Sequence, residues 1–270
     1  MSLRLLAVAA GLLLLSACQT TGTGGDRFTK SDVLEGFGKA AYGWEFSTEP
    51  RNYIIRHGQP LRFLMAHETG DEEAIAAFKR VLGFIRSLHH APEIAAVDYV
   101  DINSDTDLDF ESYNVIVLAL GPANYEQIYE PMVKKYVARG RTDMADLFYF
   151  NRCFARVREN GGTIDKSLVL MDVDQVRNRE AWRELDECMA EEILQGLGLP
   201  NDSDDLKWSI FNDRNGLIWP GNYDWLLLSM LYAPELRPGM NHEIAASRLP
   251  AILDRMWPAY QIRRKKSRSN

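Results

Sequence analysis

Between Arg177 and Leu197 the apolar residues Trp182, Leu185, Met189, Ile193 and Leu197 recur at helical spacing, and Gly198 and Pro200 stand where such a helix has to stop. This is the stretch that most restricts the fold. Positions four apart lie on one helix face, so Glu191 and Gln195 point the same way, with Glu192 beside them. A plain alternative exists: an ordinary amphipathic helix with exposed Glu191 and Glu192 and a surface Gln195.

The chain before this helix alternates elements of both kinds. Residues 29 to 46 read as a helix, with Thr29 or Ser31 as caps, broken at the Tyr42 to Phe46 segment. Alternation around Tyr53 to His57 and Leu61 to Ala66, with Gly58 and Pro60 between, predicts a short strand, a turn and a second strand. Glu72 to Leu88 is an amphipathic helix, Val97 to Asp101 a strand, and Tyr113 to Leu120 a strand so uniformly apolar that both its faces should be covered. Between those strands Asp101 to Asp109 is acidic and turn-rich, but it lacks the glycine and the closing glutamate of a calcium loop, so it reads as solvated. One or two helices fill 125 to 147, and Cys153 to Val157 should pair antiparallel with Ser167 to Val173 across Glu159 to Gly162. Two further helices, Tyr223 to Tyr232 and Glu243 to Trp257, complete one α/β (α+β) domain over 29–262, with a mixed sheet and a small helical C-terminal part.

Arg4 and the leucine-rich run after it form an export signal too short to span a bilayer. Its end, Leu15-Ser16-Ala17-Cys18, resembles the bacterial lipoprotein box, which implies cleavage after residue 18's predecessor and lipidation of Cys18. Gln19 in the next position resembles the sorting signal of outer-membrane lipoproteins, implying an envelope protein held by its N-terminal lipid and facing the periplasm. Residues 19–28 are a polar tether and 263–270 a basic tail, read either as a solvated end or as a contact for anionic headgroups or envelope polymers. Outside the cytoplasm, Cys153 and Cys188 are expected to form a disulfide. The net charge of −7 argues against a nucleic-acid partner.

The run Glu191-Glu192-x-x-Gln195-x-x-Gly198-x-x-Asn201 resembles the His-Glu-x-x-His-x-x-Gly-x-x-His signature of the metzincin zinc peptidases, with every histidine replaced and the glutamate and glycine kept. The likeness continues downstream. Ser209 to Asp213, Ser-Ile-Phe-Asn-Asp, stands where those peptidases place the Ser-Ile-Met of their methionine turn, with Phe211 for the methionine. The whole chain also resembles an uncharacterised family of proteobacterial lipoproteins, which implies a compartment and a fold but no reaction. The metzincin likeness implies a zincin-like sheet with a degenerate active-site helix, ligand positions at Glu191, Gln195 and Asn201 with Asp202 beside it, and Glu192 as general base.

Those side chains offer only oxygen, which suits calcium or manganese and not zinc. Cys188, one turn before Glu191, would add a thiolate only if reduced. His57, His67, His89, His90 and His242 share no ligand spacing and read as surface or strand-edge residues. No nucleophile elbow, phosphate loop or Cys-x-x-Cys motif occurs. The sequence therefore predicts no cofactor and a pseudopeptidase that binds a protein or cell-wall partner. The alternative is a divergent metallohydrolase or peptidase using an oxygen-ligand metal and Glu192.

Overall fold

The computed structural model describes residues 28–43, 51–68, 70–104, 109–137, 153–177 and 185–267. Helix α1 (Lys30–Tyr42) starts in a reciprocal cap: the Thr29 hydroxyl accepts from the Asp32 backbone N–H, and the Asp32 carboxylate accepts from that of Thr29. The strands are β1 (Arg56–His57), β2 (Leu61–His67), β3 (Ile94–Asp101), β4 (Val115–Leu120), β5 (Cys153–Asn160) and β6 (Thr163–Asp172). Helix α2 (Glu72–Arg86) joins β2 to β3, and α3 (Pro122–Val137) follows β4. After β6 come α4 (Val173–Arg177), α5 (Leu185–Gly196), α6 (Asn222–Leu231) and α7 (His242–Ser267).

The sheet runs β1-β6-β4-β2-β3, all parallel, and β5 adds antiparallel to β6. Its centre is β4, buried at all six positions. Val115, Val117 and Ala119 join the large core under α1, α2, α5, α6 and α7, while Ile116, Leu118 and Leu120 face a smaller cluster with Tyr125, Phe154 and Leu170. Two covered faces explain why this strand does not alternate in sequence. The hairpin β5–β6 has the expected pairing, Val157 opposite Ser167. The first two strands differ from the simplest reading of their sequence: β1 is only two residues long and pairs with the start of β6, Arg56 opposite Thr163, whereas β2 lies between β3 and β4. Parallel strands need a crossover between them, so two runs separated by one short turn end up at different places in the sheet.

Of the long helix expected over 177–197, α5 covers 185–196; residues 178–184, Trp182 among them, lie outside the described residues. Arg177 ties α4 to the start of α2 by pairing with Asp71, itself the N-cap of α2, and with Glu73. Helix α5 is buried on every side, from Glu187 to Gly196, and so is not amphipathic. A disulfide between Cys153 and Cys188 clamps it to β5. The basic segment that the sequence suggests as a tail is not wholly a tail: α7 continues to Ser267, and Arg263 donates to Asn222 Oδ1 at 2.9 Å while covering the Phe84 and Trp225 rings. Among the described residues no helix is long and apolar enough to cross a membrane.

Helix α5 stops at Gly198, whose φ of +122° is open to glycine, and a Cβ there would lie 2.3 Å from the Ile55 carbonyl oxygen. Gly198→Ala is therefore expected to lower stability by well over ~1 kcal/mol in urea titration. Replacing both Cys153 and Cys188 by serine opens a loop of 35 residues and should cost on the order of 3 kcal/mol. An unchanged midpoint in non-reducing urea would show that the bridge does not hold the fold.

Candidate functional site

The Gly198 turn decides which side chains meet. Gln195, 4% exposed on the last turn of α5, reaches across it and donates from Nε2 to Asp202 Oδ1 at 2.7 Å. Glu191, one turn earlier, is fully buried, and Glu192 beside it is 4% exposed. The surface placement that an ordinary amphipathic helix would give these three residues does not occur. Asn201 turns the other way. Its Nδ2 donates to the Lys39 carbonyl at 3.0 Å, satisfying an acceptor in the last turn of α1, and its amide lies so close to Gly43 that a Cβ there would sit 2.1 Å from Asn201 Cγ.

The run from Ser209 to Asp213 is held as a rigid loop. Ser209 donates to Asp224 Oδ1 at 2.5 Å and accepts from the Phe211 backbone N–H at 3.1 Å. Asp224 also accepts from the N–H groups of Ile210 and Gly221, at 3.2 and 2.7 Å, so one carboxylate fastens the loop to the first turn of α6. Asn212 donates to the Asp204 carbonyl and Ser203 N–H to that of Phe211, which draws this loop against the segment after Gly198. The result places Asp213 by Glu191 and Asp202: one carboxylate oxygen from each lies within 4.8 Å of the others. Burial falls from Glu191 through half-buried Asp202 to exposed Asp213, so the group opens to solvent on the Asp213 side.

Of the residues expected from the sequence, Glu191, Gln195 and Asp202 come together, Glu192 adjoins them, and Asn201 does not take part. Cys188 is consumed by the disulfide. Asp213 is the member that spacing alone did not reveal; its only signal is its position at the end of the Ser-Ile-Phe-Asn-Asp run. No histidine joins this group among the described residues. Three carboxylates make an all-oxygen donor set that fits a hard divalent cation such as calcium or manganese and does not fit zinc.

Two further buried ionisable groups were not legible. His57, read from the sequence as a surface or strand-edge residue, is 4% exposed beneath α5. Its Nε2 lies 3.0 Å from Ser167 Oγ and 3.3 Å from the Gly196 carbonyl, while Ser167 donates to that same carbonyl at 2.6 Å. The network makes Nε2 the protonated nitrogen, and burial lowers the imidazole pKa to about 4. Burial pushes the Asp224 carboxyl up to about 6, against the opposing effect of its hydrogen bonds.

Fold and site together define a mixed α/β domain built around a buried helix with carboxylates converging at its C-terminal end. The chain belongs to the family of proteins of unknown function DUF2927, whose match covers residues 30–251. No curated protein matches the chain. No solved structure matches it either.

The two buried groups affect acid stability in opposite directions. The penalty for ionised Asp224 is fully present above about pH 6 and disappears as pH falls from 6 towards 4, because the folded state then binds the proton more readily than the unfolded one. His57 favours neutral folded protein above about 6.5, and that contribution is lost as pH falls from 6.5 to its folded value of about 4. The two effects therefore oppose one another over this range. Asp224→Asn should accordingly make the urea midpoint fall more steeply between pH 6.5 and 4 than in the wild type, and a parallel profile would refute this assignment.

Proposed function

We propose that this chain is a lipid-anchored protein of the bacterial envelope, attached to the outer membrane through Cys18 and facing the periplasm. In this reading its domain is a pseudopeptidase: a zincin-like scaffold kept for binding a polypeptide or cell-wall partner, with no catalytic metal and no cofactor. The observation that carries it is how the ligand positions of the resembled signature are used. Gln195 and Asn201 hold the turn and the end of α1 by hydrogen bonds, and Glu192 is enclosed. A general base needs access to the water and substrate it serves. Support also comes from the mixed sheet with its antiparallel strand β5 beside β6, the strand that leads into α4, since an extended peptide can add to a sheet edge.

A second reading is favoured by the convergence of Glu191, Asp202 and Asp213: a divergent metallohydrolase or peptidase. These three residues would hold an oxygen-loving ion, which supplies Lewis acidity when bound. Glu192 would then take a proton from water, and Gln195 keeps Asp202 in orientation through its 2.7 Å hydrogen bond.

Elemental analysis of protein purified without chelator separates the two, together with peptide hydrolysis assays. The pseudopeptidase reading expects no stoichiometric metal, and an envelope-extract partner that Glu192→Gln still captures. Calcium or manganese at one per chain, removed by Asp213→Asn, together with hydrolysis abolished by Glu192→Gln, would replace it with the enzyme reading.

A further inference from the structure

The point where the domain's N-terminus leaves the fold and the basic end of its last helix lie side by side. Phe28, the first described residue, is buried against Tyr260 of α7, with ring centroids 5.3 Å apart, and also against Tyr223 at 5.0 Å and Trp208 at 6.1 Å. Lys30 pairs with Asp254 and covers the Trp257 ring at 5.4 Å. These contacts fix the start of the domain along the second half of α7. From Tyr260 to Lys266 the helix advances only about 9 Å.

That last stretch, Gln261 to Ser267, holds Arg263, Arg264, Lys265 and Lys266 and no acidic residue, in a chain whose net charge is −7. Cations in a last helical turn complement the helix dipole. Arg263 reaches Asn222 and the Phe84 and Trp225 rings. Beyond it, Lys265 and Lys266 are exposed, and Ile262 on the same turns is 59% exposed. A cationic helix end with a bare isoleucine matches an anionic lipid surface, where headgroups meet the charges and the apolar side chain enters the boundary.

We infer that the end of α7, centred on Ile262, Lys265 and Lys266 with half-buried Arg264 beside them, docks on anionic phospholipid. The inference rests on the lipid anchor at Cys18 proposed above. The ten residue steps from Cys18 to Phe28 reach at most about 36 Å when fully extended, so an anchor at Cys18 holds Phe28, and with it this helix end, within that distance of the bilayer. Lipid and basic patch then act as two linked attachments, the second at high effective concentration. The docking sets which side of the domain faces the membrane.

The test uses the mature chain from residue 18 carrying Cys18→Ser, so that no acyl group contributes. Co-sedimentation is measured with vesicles of phosphatidylcholine alone and with 30% phosphatidylglycerol. The expected result is binding to the anionic vesicles only, weakened by 0.5 M NaCl and lowered at least tenfold by the combined Arg264→Glu, Lys265→Glu and Lys266→Glu changes. Ile262→Ser alone should also lower it relative to the wild type, with circular dichroism confirming that both variants fold. Equal binding to the two vesicle types, or binding that survives the triple reversal, overturns the inference. So does preferential binding to an anionic polymer such as heparin with none to the vesicles. The anchor is read separately, by mass spectrometry of the lipidated N-terminus from membranes. An acylated Cys18 in a protein whose Cys18→Ser form ignores anionic vesicles refutes the docking and leaves the anchor standing, whereas vesicle binding without acylation refutes the anchor.

Discussion

The backbone of Gly198 passes so close to the Ile55 carbonyl that no side chain fits between them. This contact sets where α5 ends and where the chain goes next. It holds the end of the helix over β1, where His57 and Ser167 satisfy the last carbonyl of α5 from below. It also reverses the chain, so that Asp202 returns to Gln195 while Asn201 is sent to α1. The disulfide to β5 fixes the same helix ten residues earlier. With both ends fixed, the helix is enclosed on all sides, and its three glutamates, Glu187, Glu191 and Glu192, are buried with it.

Burial at this scale has an electrostatic consequence. The domain places a neutral imidazole and a carboxylate with a raised pKa in its interior, one under α5 and one at the start of α6. Each is held by hydrogen bonds, and each makes stability depend on pH. Their effects on stability run in opposite directions as pH falls. The carboxylate trio differs in kind, since it is graded from buried Glu191 to exposed Asp213.

Local signals gave most of the elements. The Thr29 and Asp32 cap, the period of α2, the uniform apolarity of β4 and the β5–β6 hairpin are all short-range properties, set by residues within a few positions of one another. The helix stop at Gly198 was equally legible. The candidate site was legible only where it shares one helix and one turn: Glu191, Glu192, Gln195 and Asp202. Asp213 was hidden because its approach depends on Asp224, eleven residues further on, fastening the intervening loop. His57 was hidden because a lone histidine beside a glycine turn looks like a surface residue until the helix that covers it is placed.

By itself, then, the sequence determined the alternation of helices and strands, the sharp end of α5, the shared face of Glu191 and Gln195, and the pairing of two cysteines in one mixed α/β domain. Hydrogen-bond periodicity and glycine's conformational range act locally, and so they can be read locally. The tertiary structure alone decided the order β1-β6-β4-β2-β3, the enclosure of Glu191 and Glu192, the assignment of Asn201 to α1, and the entry of Asp213 into the carboxylate group. Each of those depends on contacts between segments far apart in the chain, whose geometry is set by which surfaces can be buried together.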